Sequence, residues 1–179
     1  MSPLRLNGST SGYSQLDAPA IAGDQTFTLP GTGGTLVTTA SAGKILQVVY
    51  GTTSTFKSTG GNTFIDTDLT ATITPSSASS KILILLNQCG IGKATGDTAL
   101  SLQLLRDSTV ILSPAKGAGY TGSTAFNYLT SVSASCLDSP ATTSSVTYKT
   151  QFRSNSNINV VYVQTSSEES TIALLEVAA

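Results

Sequence analysis

The chain has 179 residues, a formal net charge of −1 and 11% charged side chains, less than half the roughly 25% usual in globular proteins. It contains two Cys, no His and no Trp, but 28 Thr and 26 Ser. The missing His excludes Ser-His-Asp and Cys-His nucleophile systems and removes the commonest zinc nitrogen ligand; the balanced charge leaves no electrostatic footprint for nucleic acid; and the longest apolar run, five residues at 82–86, is far short of the roughly 20 that a membrane span needs.

In chain order, residues 1–43 come first and show no sustained periodicity. They hold seven Gly, three Pro and scattered apolar residues, punctuated at Asn7-Gly8, Ala18-Pro19, Gly23-Asp24, Pro30-Gly31 and Gly33-Gly34. The N-terminus has no apolar signal-peptide core. Ordering each residue costs about 1–2 kcal/mol and nothing local offsets it, so this segment is read as an extended arm. It would lie on neighbouring subunits or another protein, anchored by Leu4, Leu6, Tyr13, Leu16, Phe27 and Leu29.

From residue 44 the pattern becomes β. Residues 44–50 are a short apolar run. Residues 63–74 alternate, with Phe64, Asp66, Asp68 and Thr70 on one parity and Ile65, Thr67, Leu69, Ala71 and Ile73 on the other. Residues 81–89 are apolar on both parities, which predicts a central strand or a buried seam between subunits. Leu100, Leu102 and Leu104 alternate with Ser101 and Gln103, and Arg106-Asp107-Ser108 turns into Val110-Ile111-Leu112. Strands follow at 126–136, 146–152, 158–163 and 171–177. Residues 100–105 and 171–177 are the two places where a helix competes; the position of 171–177 after a turn-like stretch favours a final strand. Nine or ten short strands between Gly, Pro, Ser and Asn turns predict an all-β fold, an antiparallel β-sandwich or jelly-roll head over 44–179.

The candidate sites are sparse. Asp66 and Asp68 share a strand face; two carboxylates can serve a cation or acid–base work, but Ca²⁺ takes six to eight oxygens, so a solvated face is the reading and no metal is assigned. Lys44, Lys57, Lys81, Lys93, Lys116 and Lys149 flank turns or strand ends and are read as solvated; no Ser sits in Gly-x-Ser-x-Gly. Gly90-Ile91-Gly92-Lys93 has the wrong spacing for a phosphate loop. Cys89 and Cys136 are read as small buried hydrophobes. Tyr120, with Lys116 in an exposed loop at 114–123, is the best candidate for stacking on a sugar. No catalytic residue and no cofactor is assigned.

Two stretches carry a resemblance. The first is Gly8-Ser-Thr-Ser-Gly-Tyr-Ser-Gln-Leu-Asp-Ala-Pro19, running on through Gln25-Thr-Phe-Thr-Leu-Pro30 to Gly34-Thr-Leu-Val37. The second opens with Gly43-Lys-Ile-Leu-Gln-Val-Val49 and takes in Ile73-Thr-Pro-Ser-Ser-Ala-Ser-Ser-Lys-Ile-Leu-Ile84, Leu137-Asp-Ser-Pro-Ala141, Tyr148-Lys-Thr-Gln-Phe-Arg153 and the C-terminal ten residues. Together they resemble the fibre-type structural proteins of tailed bacteriophages, especially those of cyanobacteria. The resemblance implies a homotrimer with an extended N-terminal part and a β head, located on the virion surface. A short chain that begins almost directly with the signature suits a capsid decoration (cement) protein, with the major capsid protein as partner. The alternative is a short tail-fibre tip, bound to tail proteins and recognising host surface glycans. Neither implies an enzyme, nucleic acid or a membrane.

Overall fold

The computed structural model describes residues 4–7, 13–16, 44–124, 126–156 and 158–179, with the backbone course alone at 4–7, 13–16 and 126–130. The chain divides into two compact units, Met1–Ala42 and Gly43–Ala179. In the first, β1 (Leu4–Asn7) pairs antiparallel with β2 (Tyr13–Leu16), Leu4 opposite Leu16. Sequence patterning marks no strand there, because four residues are too few for a period of two to register. The anchors Leu4, Leu6, Tyr13 and Leu16 lie on these strands, but their side chains, and Phe27 and Leu29 altogether, lie outside the described residues.

The second unit is an all-β sandwich. Period-two burial builds it: β5 (Ile65–Ile73) buries Thr67, Leu69, Ala71 and Ile73 and exposes Asp66, Asp68, Thr70 and Thr72. One sheet has the order β5-β10-β7-β8, with β7 at Thr98–Arg106, β8 at Thr109–Thr121 and β10 at Val146–Ser154. The other is built on β6 (Lys81–Lys93), which pairs with β12 (Ser170–Val177) over 81–87 and with β11 (Val161–Val163) at 92–93. Strand β9 (Phe126–Asp138) pairs with β6 along both stretches and therefore takes its opposite edge. Strand β3 (Ile45–Thr53) flanks β12, and β4 (Lys57–Thr59) flanks β11.

All these pairings are antiparallel. Setting the short β4 and β11 aside, the sheets read β3-β12-β6-β9 and β5-β10-β7-β8. The chain changes sheet at every connection except the β7–β8 hairpin. That is the eight-stranded jelly roll, a double Greek key. Residues 100–105 and 171–177, where a helix competed, are strands, because each pairs along its length with two neighbours.

Between the sheets lie Leu69, Ile73, Ile82, Ile84, Leu100, Leu102, Leu104, Phe152, Ile172 and Leu174, each at most 2% exposed. The hydroxyl-rich composition reaches into this core. Thr67 Oγ1 and Thr150 Oγ1 are 2.5 Å apart, Thr150 Oγ1 donates to Gln88 Oε1 (2.9 Å), and Gln88 Nε2 donates to Ser170 Oγ (2.9 Å). All four residues are fully buried, and the chain of bonds crosses from one sheet to the other. A satisfied buried network of this kind specifies one packing of the two sheets. At one end of the sandwich Asp138 of β9 makes the same crossing: it accepts from Arg106 Nη1 (2.8 Å) and from Tyr148 Oη (2.7 Å). Burial first, and then the Asp138 hydrogen bond, push the Tyr148 phenol far above its ordinary range.

Cys89 and Cys136 are free and half-buried. Cys136 packs against the core, and Asn87 Nδ2 donates to Cys89 Sγ (3.1 Å). Burial pushes both thiols up.

Candidate functional site

The two outer faces of the sandwich differ in chemistry, and the difference follows from strand register. On the β3-β12-β6-β9 sheet, the strand register aligns Val48, Leu175, Leu83 and Leu137 in one cross-strand row. The next row is Tyr50, Ala173, Leu85 and Ser135, and the third is Thr52, Thr171, Asn87 and Ser133. None of the twelve is charged, and none is buried. Val48 is 60% exposed, Tyr50 61%, Leu137 55% and Leu85 45%. Leu85, Ala173, Thr171, Ser133 and Ser135 border a shallow depression of about 450 Å³ on this face.

Four strands at about 4.8 Å spacing and six residues at about 3.3 Å rise make a face of about 20 by 20 Å. Some 400 Å² of projected surface, with seven of its twelve side chains apolar, is comparable to the largest patch on a soluble protein, often a functional one. Its apolar side chains gather at the Val48-Leu175-Leu83-Leu137 end and give way to hydroxyls and an amide at the Thr52-Thr171-Asn87-Ser133 end. The sequence signal was there in the run 81–89, apolar on both parities: Ile82, Ile84 and Leu86 fill the core, and Leu83 and Leu85 join Val48 and Tyr50 of the run 44–50 on this face.

The outer face of the β5-β10-β7-β8 sheet is polar. Asp66 and Asp68 both lie there, exposed as expected, but each is tied to its own lysine rather than to its neighbour. Lys149 Nζ is 3.0 Å from Asp66 Oδ2, and Lys57 Nζ is 2.8 Å from Asp68 Oδ2. Gln151 Nε2 also donates to Asp66 Oδ1 (2.7 Å). Desolvation raises the Asp66 carboxyl, and the Gln151 and Lys149 hydrogen bonds outweigh it, leaving it below the ordinary range. Asp68 has φ 68°, at a bulge where β5 runs four residues while β10 runs two.

Two readings of the sequence are corrected. Lys116 and Tyr120 are not in a loop: both lie on β8, which runs through Pro114, Gly117 and Gly119 to Thr121. The strand tolerates these breakers because it is the sheet edge and shifts register against β7 four times. Lys93 is not solvated: it is fully buried. Its Nζ donates to Thr98 O (3.2 Å), Thr121 O (3.3 Å) and Thr121 Oγ1 (2.5 Å), and lies 5.8 Å from the Tyr120 ring centroid. Burial lowers its pKa, and Asp97 opposes the shift. Tyr120 is 61% exposed and donates its hydroxyl to Asp97 Oδ1 (3.0 Å). That bond, and then the Asp97 charge, raise its pKa. Tyr120 and Lys93 therefore form one local cluster, and Lys116 belongs to a different part of the surface.

No family model and no curated protein matches this chain. Solved structures similar to it include the VP2 subviral particle of infectious bursal disease virus, at 14% identity and TM-score 0.41, covering 96% of this chain and 45% of that one. The Gt strain of the same virus aligns at 14% identity and TM-score 0.38, covering 97% and 46%. Derived T=1 particles of a mutant VP2 align at 13% identity and TM-score 0.38, covering 97% and 44%. The chain spans less than half the length of each.

Proposed function

We propose that this protein is a virion structural protein: a homotrimeric decoration (cement) protein on a bacteriophage capsid. In this reading three jelly rolls pack through the outer face of the β3-β12-β6-β9 sheet, and residues 1–43 attach each copy to the major capsid protein. The observation that carries it is the uncharged face of Val48, Tyr50, Leu83, Leu85, Leu137 and Leu175. Twelve adjoining positions without a charge offer little to an ionic partner, and three such faces turned towards one axis would cover apolar surface on each copy. The resemblance of the sequence to fibre-type phage proteins supplies the virion and the threefold. Attachment by three arms multiplies weak contacts into avidity without a strong single bond, and the sparsely charged, hydroxyl-rich surface suits permanent exposure to water.

The test is the mass of the chain in solution by analytical ultracentrifugation at micromolar concentration, for the wild type and for Val48→Glu combined with Leu85→Glu. The expected result is a trimer that the paired substitution turns into monomers with an unchanged β circular-dichroism spectrum. A wild-type chain that runs as a monomer overturns the reading.

A further inference from the structure

On the opposite face of the sandwich, β7, β8 and β10 and the approach to β5 enclose a cleft of about 710 Å³, lined by Asn62, Phe64, Ser101, Gln103, Ser113, Lys116, Arg153 and Asn155 among others. That volume lies within the roughly 300–1,000 Å³ of small-ligand sites. We propose that this cleft binds a carboxylate-bearing saccharide, with Arg153 and Lys116 taking the carboxylate.

Its two cations carry the argument. Among the described residues the ion pairs are Lys57–Asp68, Arg106–Asp138 and Lys149–Asp66. Arg153 and Lys116 take part in none, and the Asp66 carboxylate on the same face is already held by Lys149 and Gln151. The cleft thus holds two positive charges without a counter-charge among the described residues. Arg153 is also fixed in place. Its Nη1 donates to Asn62 O (3.0 Å), and its guanidinium carbon sits 4.9 Å from the Phe64 ring centroid. Its Nε is sealed from water and has no partner. A donor that water cannot reach is closed to a ligand as well, so a carboxylate in the cleft would meet the terminal nitrogens of the guanidinium. A planar fork matches the two oxygens of a carboxylate better than a point charge does.

The remaining lining decides the rest of the ligand. Ser101 Oγ donates to Asn155 Oδ1 (2.6 Å), and Asn155 Nδ2 donates to Lys116 O (2.7 Å), so Asn155 pins β8 to β7 beside the cleft. Gln103 Nε2 donates to Gln151 Oε1 (2.8 Å), which leaves the Gln103 carbonyl oxygen to accept from a ligand hydroxyl. Fixed amides and hydroxyls around a cationic point suit a ring bearing several hydroxyls and one carboxylate. Inorganic phosphate would use the two cations and ignore the amides. An acidic peptide would want more apolar lining than Phe64, Leu102 and Ala115 provide.

The experiment uses the full chain, titrated with an oligogalacturonate, a neutral oligogalactose, inorganic phosphate and a glutamate-rich peptide, and followed by calorimetry and by the backbone amide shifts of Ser101 and Gln103. The expected result is binding of the oligogalacturonate, at least about tenfold tighter than any other probe. Arg153→Gln should weaken it about tenfold or more, and the surface change Lys116→Gln, which leaves the fold untouched, should weaken it severalfold. No binding, equal binding of phosphate or peptide, or unchanged affinity in both variants would overturn the proposal. Because the cleft lies on the sheet opposite the apolar face, the result does not depend on whether the chain is a trimer.

Discussion

Glu176 shows how the interior of this protein handles charge. It is fully buried on β12, yet every bond it makes favours the carboxylate: Ser76 N (2.8 Å), Ser76 Oγ (2.6 Å) and Gln47 Nε2 (2.6 Å) all donate to it. Desolvation pushes its pKa up; the hydrogen bonds from Ser76, Gln47 and Ser80 more than reverse that and hold it at about 2. A carboxyl depressed in the folded state contributes stability that is fully present above its unfolded value of about 4.5 and is lost as pH falls towards about 2. Urea titrations between pH 5 and pH 2 should therefore show a steep loss of stability in the wild type. In Glu176→Gln the stability should be lower at pH 7 and the slope across that window shallower. Equal slopes would remove Glu176 as the source. Lys93 is the opposite case. Its ammonium is satisfied by two carbonyls and a hydroxyl, with no carboxylate bonded to it, so burial lowers its pKa instead of raising it.

At the scale of the element, two glycines let long strands do what their length forbids. Gly51 on β3 faces the opposite sheet, and a Cβ there would lie 2.1 Å from Thr70 O. The sheets close on each other at that corner only because nothing projects. Gly51→Ala should therefore cost at least the roughly 1–3 kcal/mol of an overpacked core, seen as a fall in thermal midpoint. A midpoint equal to wild type would mean that β3 does not press on β5 there. Gly90, at φ 62°, sits in the register shift between Gln88 and Ile91. The bulge lets β6 run 13 residues, past the nine that the apolar pattern marked, and still pair with β9.

At the scale of the molecule, the division into Met1–Ala42 and Gly43–Ala179 bears on the proposed attachment role. The buried core residues among the described residues lie in the second unit. Deleting residues 1–43 should leave a β-sandwich whose melting midpoint is within a few degrees of the full chain. The truncated protein should keep its oligomeric mass and fail to co-sediment with purified capsids. Capsid binding by the truncated protein would place attachment on the jelly roll instead. The apolar and cationic surfaces lie on opposite sheets, so one face can be covered in an assembly while the other stays open to solvent.

The sequence by itself determined the class of fold and the position of most strands. Alternation at 63–74, 100–104 and 146–152 is a local property, and the period of two survives any tertiary arrangement. It also excluded the His-dependent nucleophile systems, since a chain without His lacks them in any fold. Only the tertiary structure decided which apolar parity is buried. In β6, Ile82, Ile84 and Leu86 face the core while Leu83 and Leu85 face out, and no pattern within the run distinguishes them; the register with β12 and β9 does. The same holds for Arg153, which the sequence reading passed over. It is an ordinary basic residue until β7, β8 and β10 converge, set it beside Lys116 and Asn155, and leave both cations without a carboxylate among the described residues. The physical reason is common to both. Burial and charge balance are properties of neighbours across strands, and those neighbours are tens of residues away along the chain.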